Sequence, residues 1–175
     1  MRHSRRFRQL FLLGIAGVAG LALGTYSGLP LRGQTQKPAS PPAQATSAES
    51  LPAAVVLEPD GLNKVLQSST GEKPLVLQVG FDVLYRQVHI PGSEYAGPAS
   101  KEDGMQVLRK RPESVPHDKF IVLYCGCCPW DHCPNVKPAY DAMKKMGFTN
   151  VKVMHVANNL ATDWIDKGFP ISKGQ

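Results

Sequence analysis

The sequence predicts a single α/β domain in which a central, mainly parallel sheet is flanked by helices. Two observations predict it. Residues 120–124, FIVLY, are apolar at every position, which marks a strand covered on both faces, the usual state of a parallel sheet. Strand-like runs of this kind alternate along the chain with segments whose apolar residues recur at helical spacing, the pattern of an α/β fold.

Taken in order, residues 1–24 read as an export signal. MRHSRRFRQ carries four arginines and no acid, LFLLGIAGVAGLALG follows without a charge, and Ala22-Leu23-Gly24 offers the small residues that a signal peptidase prefers. The apolar run is shorter than the roughly 20 residues of a membrane span; left uncleaved, the segment would act as an N-terminal anchor. Ser4-Arg5-Arg6-Phe7 resembles the opening of a twin-arginine signal, Arg8-Gln9-Leu10 does not complete it, and Sec export fits at least as well. The protein is therefore expected on the periplasmic or extracellular side of a membrane, secreted or anchored, with membrane contact only through this segment.

The signal also explains the charge. Of the net +6, the four arginines before Gly24 supply +4, and residues 25–175 keep 16 basic and 14 acidic side chains, a net of +2. Nucleic acid is thus excluded as an expected partner, because the high overall charge belongs to targeting. Residues 25–54, rich in Pro, Ala, Ser, Gln and Thr from Leu29 onward, bury too little apolar area to offset their ordering entropy and read as a linker. The folded domain is expected over residues 55–175.

Within it, Val55-Val56-Leu57 is a short apolar run, and Asp60 is expected to cap a helix presenting Leu62, Val65 and Leu66. Leu75–Val79 (LVLQV) reads as a buried strand, residues 81–89 as mixed, and Ile90-Pro91-Gly92 as a turn. A helix over residues 101–110 would present Met105, Val107 and Leu108 before Pro112 and Pro116 close it. After the FIVLY strand, Val136, Ala139, Tyr140 and Met143 recur at helical spacing, with Asn135 as N-cap, Pro138 in the first turn and Gly147 as the stop. VKVMHV (151–156) is another strand, and Leu160, Trp164 and Ile165 suit a last helix ended by Gly168.

Five short stretches in this order resemble the rhodanese-like family. They are LVLQVG (75–80), His89-Ile90-Pro91-Gly92-Ser93, Phe120 to Cys125, KKMGFTNV (144–151), and Trp164 with Gly168-Phe169-Pro170. The similarity spans about residues 55–172 and implies a rhodanese-like single domain whose central strand delivers an active-site cysteine, Cys125. It implies a sulfurtransferase that forms a persulfide on Cys125, takes sulfur from a small donor, passes it to a thiol acceptor or a partner protein, and requires no cofactor. His132, Lys137 and His89 are the supporting candidates, His89 chiefly as a loop hydrogen-bonder. The sequence departs from the pattern in three places. Gln78 and Gly80 replace an Asp and an Arg, Asn158-Asn159 replace two glycines, and the loop after Cys125 is about five residues longer than the family's C-x-x-G-x-R and has no arginine.

That loop holds all four cysteines, Cys125, Cys127, Cys128 and Cys133. A thiol at the carboxyl end of a central strand, facing the next helix, is well placed as a nucleophile, and backbone N–H groups and the helix dipole there are expected to lower its pKa. The same residues with His132 form a ligand set for a soft metal, Cu or Zn. In an oxidising compartment they also allow a redox pair or a staple, of which Cys128 with Cys133 is the easier to build. Of the remaining candidates, His155 and Trp164 read as structural, Trp130 as a packing anchor or site residue of the loop, and Asp131 as a turn acceptor.

Overall fold

The computed structural model describes residues 48–174. Residues 1–24, read above as an export signal, and the expected linker up to residue 47 lie outside the described residues. Five strands form one all-parallel sheet in the order β1-β5-β4-β2-β3. They are β1 (Val56–Leu57), β2 (Leu75–Gln78), β3 (Glu94–Tyr95), β4 (Ile121–Tyr124) and β5 (Val151–Met154). Helices α1 (Pro59–Gln67), α2 (Asp82–Gln87), α3 (Glu102–Lys110) and α4 (Val136–Lys145) run between them, and a π-helical turn, Ala161–Ile165, follows β5. Among the described residues no helix is long and apolar enough to cross a membrane.

β4 is central, as its unbroken apolar run predicts, with β2 on one side and β5 on the other and all four residues buried. Side chains alternate across its two faces, and each face meets its own core. Ile121 and Leu123 join Leu77, Val79, Val151 and Val153 against Met105 and Leu108 of α3 and Val136, Ala139 and Met143 of α4. Val122 and Tyr124 join Val76 and Met154 against Leu62 of α1, Ile90, Leu160 and Trp164. Cys125, next in the alternation, falls on the α3–α4 face.

Several local expectations shift. α1 is capped at Glu58 rather than Asp60, because Pro59 occupies the first helical position, where its fixed φ and missing N–H cost nothing; Asp60 instead pairs with Lys167 at 2.6 Å. Residues read as mixed form α2, too short for its periodicity to show in the sequence. The last helix is the π-helical turn, with Trp164 buried and its indole N–H donating to the Pro170 carbonyl at 2.8 Å, which gives the Trp164–Pro170 spacing a physical reason. The segment assigned to the linker reaches into the fold at its end: Ala48 and Leu51 are buried against the α3–α4 core, and Ala48–Ser50 packs on Trp130–His132.

The HIPGS stretch is a structural lock. Tyr85 stacks on His89 at a ring separation of 4.1 Å, its hydroxyl donates to the Ser93 carbonyl at 2.6 Å, and its own carbonyl lies 2.8 Å from His89 Nδ1. The Tyr124 hydroxyl accepts from the Ile90 N–H at 3.3 Å and bonds the Ser93 hydroxyl at 3.0 Å. This pins the loop before β3 onto the end of β4. Tyr124→Phe removes the partner of two buried groups and is expected to destabilise the domain by about 1–3 kcal/mol. The check is a lower urea midpoint with an unchanged slope.

Candidate functional site

The site forms where β4 ends. Gly126 follows Cys125 with φ +78°, a left-handed conformation that favours glycine, and a Cβ there would stand 3.0 Å from Leu160 Cβ. This turn doubles the chain back so that Cys125 Sγ and Cys127 Sγ lie 3.0 Å apart, with Cys128 Sγ 3.3 Å beyond Cys127. Two backbone bonds hold the loop to the segment after β5: Leu160 N–H to the Gly126 carbonyl at 3.0 Å and Trp130 N–H to the Ala157 carbonyl at 3.3 Å. All four cysteines are free thiols.

Cys125 is only 3% exposed, and three neighbours account for its placement. Asn135, completely buried, donates from Nδ2 to Cys125 Sγ at 3.3 Å and accepts from the Ser100 N–H at 3.0 Å. Asn135 does occupy the N-cap position of α4, but its side chain makes no capping bond; it ties the loop before α3 to the thiol. Gln78 donates from Nε2 to the Cys125 carbonyl at 3.1 Å. Gly80 leaves the room the sulfur fills, since a Cβ on it would sit 3.1 Å from Cys125 Sγ and 2.8 Å from Gln78 Nε2. The two substitutions noted at positions 78 and 80 are thus the residues packed around this thiol.

Electrostatics divide the thiols into a donor and acceptors. Hydrogen bonding to Cys127, Cys128 and Cys133, then burial, pushes the Cys125 thiol above the ordinary thiol range, so it stays protonated. The 3.0 Å contact with Cys125 draws the Cys127 thiol down to about 7 despite half-burial, and interaction with Cys125 also lowers Cys128 and Cys133. The backbone N–H groups of Asn135 and Val136, at the start of α4, serve Cys133. The lowered pKa expected for Cys125 therefore falls on its neighbours: the N–H groups of Asn135 and Val136 act on Cys133, and Cys127 lies 3.0 Å from the buried, protonated Cys125.

Cys125 and Cys127 line a cleft of about 380 Å³ beyond the carboxyl ends of β2 and β4. Its walls are apolar at Leu84, Val88, Tyr124, Leu160 and Ile165, and polar but uncharged at Gln78, Gln87 and Asn159. None of the supporting candidates lines it. His132 is 77% exposed and paired with Asp131 at 2.7 Å, Lys137 is held by Asp141 at 2.5 Å, and His89 belongs to the lock under β3. The Sγ atoms of Cys125, Cys127 and Cys128 lie within 4.8 Å of one another, a group that includes neither His132 nor Cys133. His155 is satisfied by Glu58 at 3.0 Å and meets the Trp130 ring edge-on, at 4.9 Å, which makes both packing residues of the loop. Sequence reasoning missed Asn135 as a thiol partner and Cys127 as the thiol on the cleft wall; the first has no motif, and the second follows only from the Gly126 turn.

Comparison with solved structures fits this geometry. The chain matches the Alr3790 protein of Anabaena sp. with a TM-score of 0.51 and 16% identity, over 67% of this chain and 92% of that one. The rhodanese-like domain of that protein in solution gives 0.51 at 18% identity, over 68% and 79%. An anaerobic ergothioneine biosynthesis enzyme of Chlorobium limicola, in complex with trimethyl histidine, gives 0.51 at 21% identity, over 68% of this chain and 28% of that one. No family model and no curated protein matches the chain. What these likenesses establish is the fold. The chain has the rhodanese-like α/β fold, with a cysteine-rich loop at the end of its central strand.

Asn135→Ala should cost about 1–3 kcal/mol, because the Ser100 N–H and the buried thiol both lose their partner. A lowered urea midpoint checks this, and a midpoint equal to the parent's would remove Asn135 from the frame of the site.

Proposed function

We propose that the protein is an exported sulfurtransferase working through the Cys125–Cys127 pair. The observation that supports it is two thiols 3.0 Å apart on the wall of a cleft at the end of the central strand, where α/β sheets bind ligands. Export rests on the basic, apolar and small-residue order of residues 1–24. In this reading the Cys127 thiolate attacks the sulfane sulfur of a donor. The bond between that sulfur and the donor breaks, its electron pair leaves with the donor, and Cys127 carries a persulfide. An acceptor thiolate then takes the same sulfur and returns Cys127 as thiolate. Cys125, first expected to attack, is more deeply buried and keeps its proton; its S–H stabilises the Cys127 thiolate.

Cys127→Ser is expected to abolish sulfur transfer from a persulfide donor to a dithiol. Cys125→Ala should slow it by about tenfold at pH 7, because the thiolate loses the hydrogen-bond donor beside it. Because only the thiolate attacks, the parent rate should rise as pH climbs through about 7 and level off above it. Equal rates for parent and Cys127→Ser would dismiss the sulfurtransferase reading.

A second reading is favoured by one observation, the mutual approach of three sulfurs within 4.8 Å. Cys125, Cys127 and Cys128 would hold Cu(I), which thiolates select; Zn(II) asks for a fourth ligand that His132 is not placed to give. If it holds, reduced protein titrated anaerobically with Cu(I) should retain one ion per chain by elemental analysis, and Cys127→Ser should lose it.

A further inference from the structure

Resting on the sulfur-transfer reading, we infer that the cleft takes an uncharged organic persulfide, R–S–SH, in preference to a sulfur oxyanion such as thiosulfate, and that Gln78 is a residue that selects it. The first ground is charge. Among the described residues, no lysine, arginine or histidine lines the cleft. The basic side chains close in sequence to its walls have partners elsewhere: Arg86 pairs with Asp82 at 2.6 Å, Lys167 with Asp60 at 2.6 Å and His132 with Asp131, and His89 Nδ1 lies 2.8 Å from the Tyr85 carbonyl. At the start of α4 the N–H groups of Asn135 and Val136 already serve Cys133. A dianion entering this cleft gives up its hydration and finds no counter-charge.

The second ground is independent of charge. Gln78 is 2% exposed and lines the cleft. Its Nε2 donates to the Cys125 carbonyl, which fixes the amide, and its Oε1 is buried with no hydrogen-bond partner. A buried acceptor without a donor is an unmet demand. Thiosulfate has only acceptor atoms and would set oxygen against oxygen. The S–H of a neutral persulfide, or an N–H on its carbon body, meets the demand, while Leu84, Val88, Leu160 and Ile165 offer the carbon body an apolar wall. An uncharged cleft also favours the protonated persulfide, the form whose outer sulfur accepts attack. The step balances: Cys127–S⁻ and R–S–SH give Cys127–S–SH and R–S⁻, the donor's sulfur–sulfur bond breaking as the new one forms.

The test follows sulfur loading on the full, reduced chain by intact mass spectrometry, as a gain of about 32 Da, with tert-butyl persulfide or thiosulfate at equal concentration. Persulfide is expected to load at least about tenfold faster. Gln78→Met removes the acceptor and should narrow that ratio. Because Gln78 also supports the Cys125 carbonyl, a second variant is needed: Gln87→Arg, at an exposed position on the rim, supplies the missing cation and should raise thiosulfate loading by about fivefold or more. Thiosulfate loading as fast as persulfide in the parent would overturn the preference and leave sulfur transfer standing. Failure of both donors would remove sulfur transfer itself, and this inference with it.

Discussion

Everything distinctive about this domain depends on one buried thiol. Cys125 ends the central strand at 3% exposure, with no charged side chain bonded to it among the described residues. A thiol in that position is stable only in its protonated form, and a protonated thiol is a donor that needs an acceptor. The chain supplies one two residues later: Gly126 takes a left-handed turn and brings Cys127 to 3.0 Å. The cost of burying one sulfur thus becomes the stabilisation of the next as a thiolate. Gly80 and Asn135 are consequences of the same placement, one leaving volume for the sulfur and the other giving it a hydrogen bond.

The fold was legible in the sequence because each of its signals is local and strong. FIVLY could be read as a buried strand from composition alone, and the α4 face from Val136, Ala139 and Met143. The short elements were not legible. α2 has six residues and one buried side chain, less than a period detector needs, and the two-residue edge strand β3 is defined by pairing with β2 rather than by its own residues. Ala48 and Leu51 look like linker residues because their burial is decided by a partner far along the chain.

The site was legible to the level of the loop, not of the thiol. That four cysteines gather after a central strand is plain from the chain, and so is the substitution of Gln78 and Gly80. Which cysteine carries the reactive charge is a question of a few tenths of a nanometre and of a single backbone angle, φ at Gly126. Helix-dipole reasoning pointed to Cys125 because it assumed that the N–H groups at the start of α4 face the strand end; those of Asn135 and Val136 serve Cys133. His132 and Lys137 drew attention as the nearest cations in sequence, yet each has an acidic neighbour that holds it outside the cleft.

The alternation of a β-strand separates what fixes the site from what reacts in it. Tyr124 and Cys125 are adjacent, so their side chains leave the sheet on opposite faces. Tyr124 turns to the α1 face and locks Ile90 and Ser93, and Cys125 turns to the α3–α4 face and meets Asn135. A rigid anchor on one face therefore sets the position of the chain's end on the other, without any group of the anchor touching the sulfurs. The loop after Cys125 therefore starts from a strand end fixed independently of its own residues. In this chain that loop carries three further thiols and no lysine or arginine, and the strand end holds Cys125 at 3.0 Å from the first of them.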